Sequence, residues 1–160
     1  MNWGSTTEDQ VFTKGLSFAY RLNQIPDHVK NYRPSFLLLA GNPSARLPLV
    51  QFASSLSRKV GLLQVAHVGR GLPRLHELKR QSVVNSLSGW LKYKKVRAFY
   101  VYCEAESLAE GTRKMLQLCG IGKMKANVLM MGFKQNWHDA NEEELVDYYN
   151  TIRLVHHGNA

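Results

Sequence analysis

Apolar residues fall along this chain in two alternating rhythms: short unbroken runs, and stripes at helical spacing. Residues 96–102 (VRAFYVY) are rich in β-branched and aromatic side chains, which suit a pleated surface. Leu108, Thr112, Met115, Leu116 and Cys119 then recur at the spacing of one helix face. Gly120 stands where a terminating glycine takes positive φ. Residues 127–132 (NVLMMG) form a second run without polar alternation, the pattern of a strand covered on both faces. Two parallel strands joined through a helix make a right-handed crossover, and the rest of the chain is organised around this unit.

Upstream the rhythm repeats. Residues 6–23 predict a helix opened by Thr6 and Asp9 in a capping-box arrangement, with Phe12, Leu16, Ala19 and Tyr20 as its buried stripe. Ile25-Pro26 stops it, and residues 27–34 (DHVKNYRP) are a polar connector. Residues 35–40 predict the first strand, ended by Gly41. A helix follows GNPSARLP, with Leu49, Phe52, Ala53 and Leu56 on its inner face. Residues 60–68 predict the second strand, broken by Gly69 and Gly71. A long helix spans 72–93, with Val84, Leu87, Trp90 and Leu91 facing in. Lys92, Lys94 and Lys95 at its far end complement the helix dipole. Asn141 with Glu144 caps a last helix whose inner face is Leu145, Tyr148, Tyr149 and Ile152, and residues 156–160 are a polar tail. The order predicts an α/β fold: an open, mostly parallel sheet of about four strands with helices on both faces, one domain over residues 1–160.

Composition narrows the class. The 160 residues are 44% hydrophobic and 21% charged, which marks a globular chain. The longest purely apolar run, residues 36–40, is far too short to span a bilayer, and the first ten residues lack the basic and apolar regions of a signal peptide. Cys103 and Cys119 both fall inside predicted elements and read as reduced thiols of a cytosolic chain. A net charge of +9 speaks to partners rather than fold. It suits nucleic acid, an acidic protein or an anionic membrane face.

In such sheets ligands bind beyond the carboxyl ends of the strands. Four stretches land there: residues 41–44 (GNPS), 67–71 (HVGRG), Cys103-Glu104, and 132–137 (GFKQNW). Neither Gly41-Asn42-Pro43 nor Gly69-Arg70-Gly71 completes a dinucleotide or phosphate-loop motif, so turn formation explains these glycines. A thiol site can be drawn from Cys103, His67 and Glu104 if the second and third strands are neighbours. The opposing expectation is a small buried thiol. For metal binding, His156 and His157 are adjacent and cannot share a helix face, and the two cysteines lack CxxC spacing. Basic clusters occur at Arg70, Arg74, Lys79 and Arg80, and at Lys92, Lys94, Lys95 and Arg97. The aromatics near the second cluster belong to a core strand, and no nucleic-acid-binding motif is present.

Several blocks also resemble a known family in order and spacing: NWGSTT at 2–7, DHVKNYRP at 27–34, KVRAFY at 95–100, GIGKMKANVLMMGFKQNW at 120–137 and DYYNTI at 147–152. Together they resemble the cytoplasmic C-terminal domain of the cation-chloride cotransporters. DHVKNYRP and GFKQNW resemble the sodium-dependent branch, the Na-K-Cl and Na-Cl cotransporters. The resemblance spans residues 2–152 and is weakest over 71–93. It implies a universal-stress-protein-like fold with no catalytic role, hence no enzyme activity, cofactor or metal. It further implies a cytosolic regulatory domain acting in chloride, sodium and potassium transport by interaction. The implied partners are the transmembrane domain of the parent transporter and a second copy in a homodimer, not nucleic acid.

Relatives of that fold that bind ATP carry a glycine signature after the fourth strand, where this chain has one glycine in GFKQNWHDAN. The alternative role is a nucleotide-binding sensor using the loops after Ala40 and Gly132. The family sets twelve transmembrane helices before this domain and a further strand and subdomain after it. This chain, ending RLVHHGNA, is therefore expected to be an excised first part or a shortened natural form. Lys92, Lys94 and Lys95 are the expected contact with an acidic partner surface or anionic lipid, on charge alone.

Overall fold

A computed structural model describes residues 6–26, 28–69, 77–134 and 137–157. Four strands, β1 (Ser35–Leu39), β2 (Leu62–Gly69), β3 (Phe99–Glu104) and β4 (Val128–Met131), form one sheet in the order β3-β2-β1-β4. All three neighbouring pairs are parallel. Helices α1 (Thr6–Gln24), α2 (Leu47–Ser57), α3 (Glu77–Tyr93), α4 (Leu108–Leu118) and α5 (Glu142–His157) complete the α/β order expected from the sequence. The described part of α3 starts at Glu77, so the first turns expected at 72–76 lie outside the described residues.

The chain falls into two compact units, Met1–Tyr32 with Ile121–Lys123, and Arg33–Gly120 with Met124–Ala160. In the smaller one, α1 is followed by a 3-10 turn at Val29–Asn31, where the Lys30 amide donates to His28 Nδ1 at 3.1 Å. The Lys123 ammonium donates to the Ile25 carbonyl. None of the described α1 side chains is buried. Phe12, Leu16 and Tyr20, expected as an inner stripe, are exposed, and Ala19 is half-buried. Periodicity shows which residues share a helix face; it does not supply the surface that covers them.

The larger unit holds the sheet. Alternation along each strand sends side chains to opposite faces. Phe36, Leu38, Leu63, Val65 and Tyr100 pack with Val50 and Ala53 of α2 and Leu91 of α3. Leu37, Leu39 and Ala66 pack with Met115 of α4, flanked by Val101, Cys103 and Cys119. β1 is buried at every residue, as a central parallel strand is. β4, at the edge, is half-buried throughout yet contributes to both clusters. Asn127 pins it to β1: its Oδ1 accepts from the Ser35 amide at 2.8 Å, and its amide donates to the Ser35 carbonyl at 3.0 Å.

Helix phase departs from expectation twice. In α2 the buried residues are Val50, Ala53 and Ser57, whereas Phe52 and Leu56 are exposed. Small side chains at the point of closest approach let the helix lie against the sheet; seating Phe52 and Leu56 there would lift it away. In α5, Leu145 and Tyr148 are half-buried and Thr151 is fully buried, but Tyr149 and Ile152 are exposed. The α5 face turns so that Asp147 reaches the start of α4, and Thr151 follows one turn later on the same side. α3 keeps its expected face of Val84, Leu87, Trp90 and Leu91.

Candidate functional site

From β1 the chain steps outward to β2 and β3, then crosses back to place β4 on the other side of β1. The strand order therefore reverses between β1 and β4, and their carboxyl ends splay into a crevice. A cavity of about 210 Å³ lies there, lined by Gly41 and Arg46 after β1, Gly132 and Lys134 after β4, Leu108 of α4 and Tyr148 of α5. It adjoins an open groove of about 1000 Å³ that shares Arg46, Gly132 and Lys134 and continues past Phe133 to Asn141 and Glu144.

The walls are set by local chemistry. Gly41 takes φ of +64°, and the Asn42 Oδ1 accepts from the Ser44 amide at 3.1 Å and from its hydroxyl at 2.8 Å. That Asx turn starts the 3-10 turn Pro43–Arg46, with Pro43 buried. α2 begins at once behind it with no side-chain cap on its first amides. On the other wall Tyr148 donates from its hydroxyl to the Gly132 carbonyl at 3.2 Å, and Lys134 ion-pairs with Glu144 at 2.5 Å. The crevice is basic on one side and neutralised on the other.

Beside it, the first turn of α4 is closed by the chain itself. Asp147 accepts from the Leu108 amide at 2.7 Å and the Ala109 amide at 2.9 Å, and Ser107 accepts from the Glu110 amide at 3.1 Å. A carboxylate thus occupies the place where a helix N-terminus would otherwise attract an external anion.

The structure dismantles the thiol site drawn from the sequence. β2 and β3 are neighbours as that site required, with His67 opposite Tyr102 and Val68 opposite Cys103. But Cys103 belongs to the cluster under α4, whereas Tyr100 and Tyr102 belong to the opposite face. His67 lies on that opposite face, its Nδ1 hydrogen-bonded to the Tyr100 hydroxyl at 2.9 Å and its ring edge-on to Tyr102 at 5.4 Å. A one-residue offset in parity puts the thiol and the imidazole on two sides of the sheet. Glu104, the third member, ion-pairs with Arg80 at 3.4 Å. Burial pushes the Cys103 thiol up and the His67 imidazole down, so each favours its neutral form. Burial, then the neighbouring Tyr102, pushes Tyr100 up to about 12.

Of the four stretches expected to converge, the structure brings together those after β1 and β4, with Val68 of residues 67–71 also lining the cavity, whereas Cys103-Glu104 does not line it. Arg46 and Tyr148, which complete the crevice, carry no motif signal. Their only clue is position: one follows the first strand, and the other lies on the face of the helix after the fourth. Lys92, Lys94 and Lys95 stand exposed at the opposite end of the sheet, Lys94 with its ammonium 5.2 Å from the Tyr93 ring centre. Arg70, Gly71 and Arg74, and the side chains of His156 and His157, lie outside the described residues. Among the described residues no group of three or more His, Cys, Asp or Glu could hold a metal ion, and no helix is long and apolar enough to cross a membrane.

Comparison with known proteins gives the family. Solute carrier family 12 member 3 of Homo sapiens is 37% identical over 156 residues, covering 98% of this chain and 15% of that protein. Solute carrier family 12 member 2 of Squalus acanthias is 39% identical over 153 residues, covering 95% and 13%. A Manduca sexta protein named a bumetanide-sensitive sodium-(potassium)-chloride cotransporter is 36% identical over 155 residues, covering 97% and 14%. The chain thus spans about one-seventh of the length of the curated relatives it matches. The family model described as Solute carrier family 12 matches residues 46–157, from the start of α2 to the end of α5, and the chain belongs to that family.

Proposed function

We propose that the chain is a cytosolic regulatory and dimerisation domain of a sodium-dependent cation-chloride cotransporter, serving chloride, sodium and potassium movement through interaction rather than catalysis. The observation that carries this reading is the alignment of nearly the whole chain with cotransporter relatives at 36–39% identity. The site geometry supports it. Asp147, Ser107, Glu144 and Lys134 at the carboxyl end of the sheet are tied into a helix cap and an ion pair, and the nucleophile–base pair drawn from the sequence is split across the sheet. In this reading the domain's partners are the parent's transmembrane part and a second copy of itself.

The reading is tested by a chimera. Replacing the matched stretch of the Manduca cotransporter with this chain is expected to preserve chloride uptake and surface delivery, and deleting the stretch to abolish them. Normal uptake after deletion overturns the regulatory role. Sedimentation of the chain as a monomer at every concentration tried overturns self-association.

A second reading, a nucleotide-binding sensor, draws support from one feature. The crevice between β1 and β4 brings Arg46 and Lys134 beside the uncapped start of α2. The cavity between the two loops, about 210 Å³, falls below the roughly 300–1,000 Å³ of common small-ligand pockets, and Glu144 already neutralises Lys134. Titration with ATP separates the readings: a saturable thermal shift lost in Arg46→Glu supports the sensor.

A further inference from the structure

We propose that the amino end of the sheet is a docking surface for an anionic lipid bilayer. The proposal rests on the reading of the chain as part of a membrane transporter, and it names a contact which that reading does not. Because the four strands are parallel, all of them start at this one end. Each is preceded by cations: Arg33 before β1, Arg58 and Lys59 before β2, Lys95 and Arg97 before β3, and Lys125 before β4. Acidic residues are all but missing from the elements that build this end. Arg33, Arg58, Lys59, Lys92, Lys94, Lys95 and Arg97 all stand at or just before strand starts, and between His28 and Cys103 the sequence holds a single acid, Glu77. Charge of one sign is thus gathered where the fold gathers the strand starts.

Backbone geometry presents part of that charge outward. Among the described residues, Lys59 and Lys95 are the two non-glycine residues at positive φ, +68° and +56°, and each sits just past a helix end and just before a valine. Glycine is the sterically easy residue there. At α3 the turn is fully formed, with the Val96 amide donating to the Leu91 carbonyl and the Lys95 amide to the Lys92 carbonyl, both at 2.9 Å. The β2–β3 pairing sets the two lysine turns side by side at the ends of adjacent strands.

Exposed apolar groups are interleaved with these cations: Val60 beside Lys59, Tyr93 beside Lys94, Phe99 beside Arg97, and Leu56 one turn back on α2. Lysines and arginines with two aromatic and two aliphatic side chains between them match a bilayer interface, where phosphates face the cations and the apolar groups enter the acyl boundary. Helix-dipole complementation explains one cation per helix end; it does not explain apolar side chains exposed among them. Nor does a nucleic-acid backbone, which offers no acyl boundary for Val60 and Leu56.

The test is co-sedimentation of the chain with phosphatidylcholine vesicles, with and without phosphatidylserine. Binding is expected only with phosphatidylserine and should fall as salt rises. The combined Lys59→Glu, Lys94→Glu and Lys95→Glu variant is expected to lose at least about ten-fold in binding. Arg113→Glu with Arg153→Glu, the same kind of change on α4 and α5, is expected to lose much less. Val60→Ser with Tyr93→Ser is expected to weaken binding at unchanged charge. Thermal melts like the parent's show that the variants fold. Equal binding to neutral vesicles, or equal loss in the control variant, overturns the proposal. So does failure to sediment with vesicles while a single-stranded RNA binds through the same lysines, which assigns the surface to nucleic acid. Each of these outcomes leaves the chimera result standing, so loss of the docking surface is distinguishable from loss of the family role.

Discussion

At the carboxyl end of the sheet, most of the described charges are met within the chain. Asp147 closes the first turn of α4, Glu144 holds Lys134, and Glu104 faces Arg80. At the amino end cations precede all four strands, and from Arg46 to Gly69 and again from Leu78 to Cys103 the sequence has no acid. Part of this contrast follows from the fold. In parallel βα units every helix begins over the carboxyl end and finishes over the amino end, so the dipoles favour acids at one and bases at the other. The remainder differs in kind. Carboxyl-end charges make short bonds to backbone amides and partners, whereas amino-end charges stand on exposed turns. The first set holds the fold together; Lys59, Lys94 and Lys95 of the second are exposed at helix ends.

That contrast predicts the largest effect at Asp147. Asp147→Ala removes the acceptor of two backbone amides at the junction of α4 and α5. It is expected to cost about 2 kcal/mol or more, read as a lower midpoint in urea unfolding. Asp147→Asn keeps one acceptor oxygen and should fall between the two. A loss no larger than that of a typical surface substitution would break the claim that carboxyl-end charge is structural. Gly111→Ala comes next. An added Cβ would stand 2.5 Å from Val68 Cγ1 and 2.8 Å from Cγ2, with Ala105 close behind. The first turn of α4 would then be levered off β2, at about 1–3 kcal/mol.

What the sequence disclosed, and what it withheld, divides along physical lines. Element types and parallel order were legible because unbroken apolar runs such as residues 35–40 and 127–132 suit strands shielded on both faces. Gly120 announced the end of α4 and takes φ of +96°. Which face a helix buries was less legible where two faces are both apolar. α2 offers Phe52 and Leu56 as readily as Val50 and Ala53, and only the fit against the sheet decides. The crevice was half legible: the loops after β1 and β4 were flagged by strand-end position, but Arg46 and Tyr148 meet only once the strand order is known. The thiol site failed on parity, a property of strand boundaries. Moving the start of β3 by one residue would have put Cys103 on the face of His67.

Acid titration sharpens the comparison at smaller amplitude. His67 sits near the carboxyl end of β2, half-buried, with its value held below the ordinary 6.5 by burial. Below that ordinary value the unfolded chain takes up a proton that the native imidazole resists, so the unfolded state binds more protons and stability falls with falling pH. The contribution is fully present above pH 6.5 and is lost as pH drops through the lowered native value. Denaturant midpoints between pH 7.5 and pH 5 should show the decline, and His67→Gln should flatten that part of the profile. At the alkaline side Tyr100 runs the other way. The native phenol keeps its proton up to about 12, so stability falls once the unfolded chain begins to ionise near 10. An ultraviolet phenolate titration should show this late step vanish in Tyr100→Phe.

The smallest expected effect on stability lies at the amino end and tests the contrast from its other side. Lys59, Lys94 and Lys95 are exposed, and no acid stands near them in sequence. Reversing all three relieves repulsion with the neighbouring Arg58, Lys92 and Arg97 and turns a favourable helix-dipole contact unfavourable, two terms of opposite sign and of a few tenths of a kcal/mol each. The unfolding midpoint should therefore stay within about 0.5 kcal/mol of the parent. If the reversal destabilises the fold as much as Asp147→Ala does, these lysines serve the structure and the two ends are alike. If stability holds while anionic vesicles lose the chain, the amino-end charge answers to a surface outside the molecule.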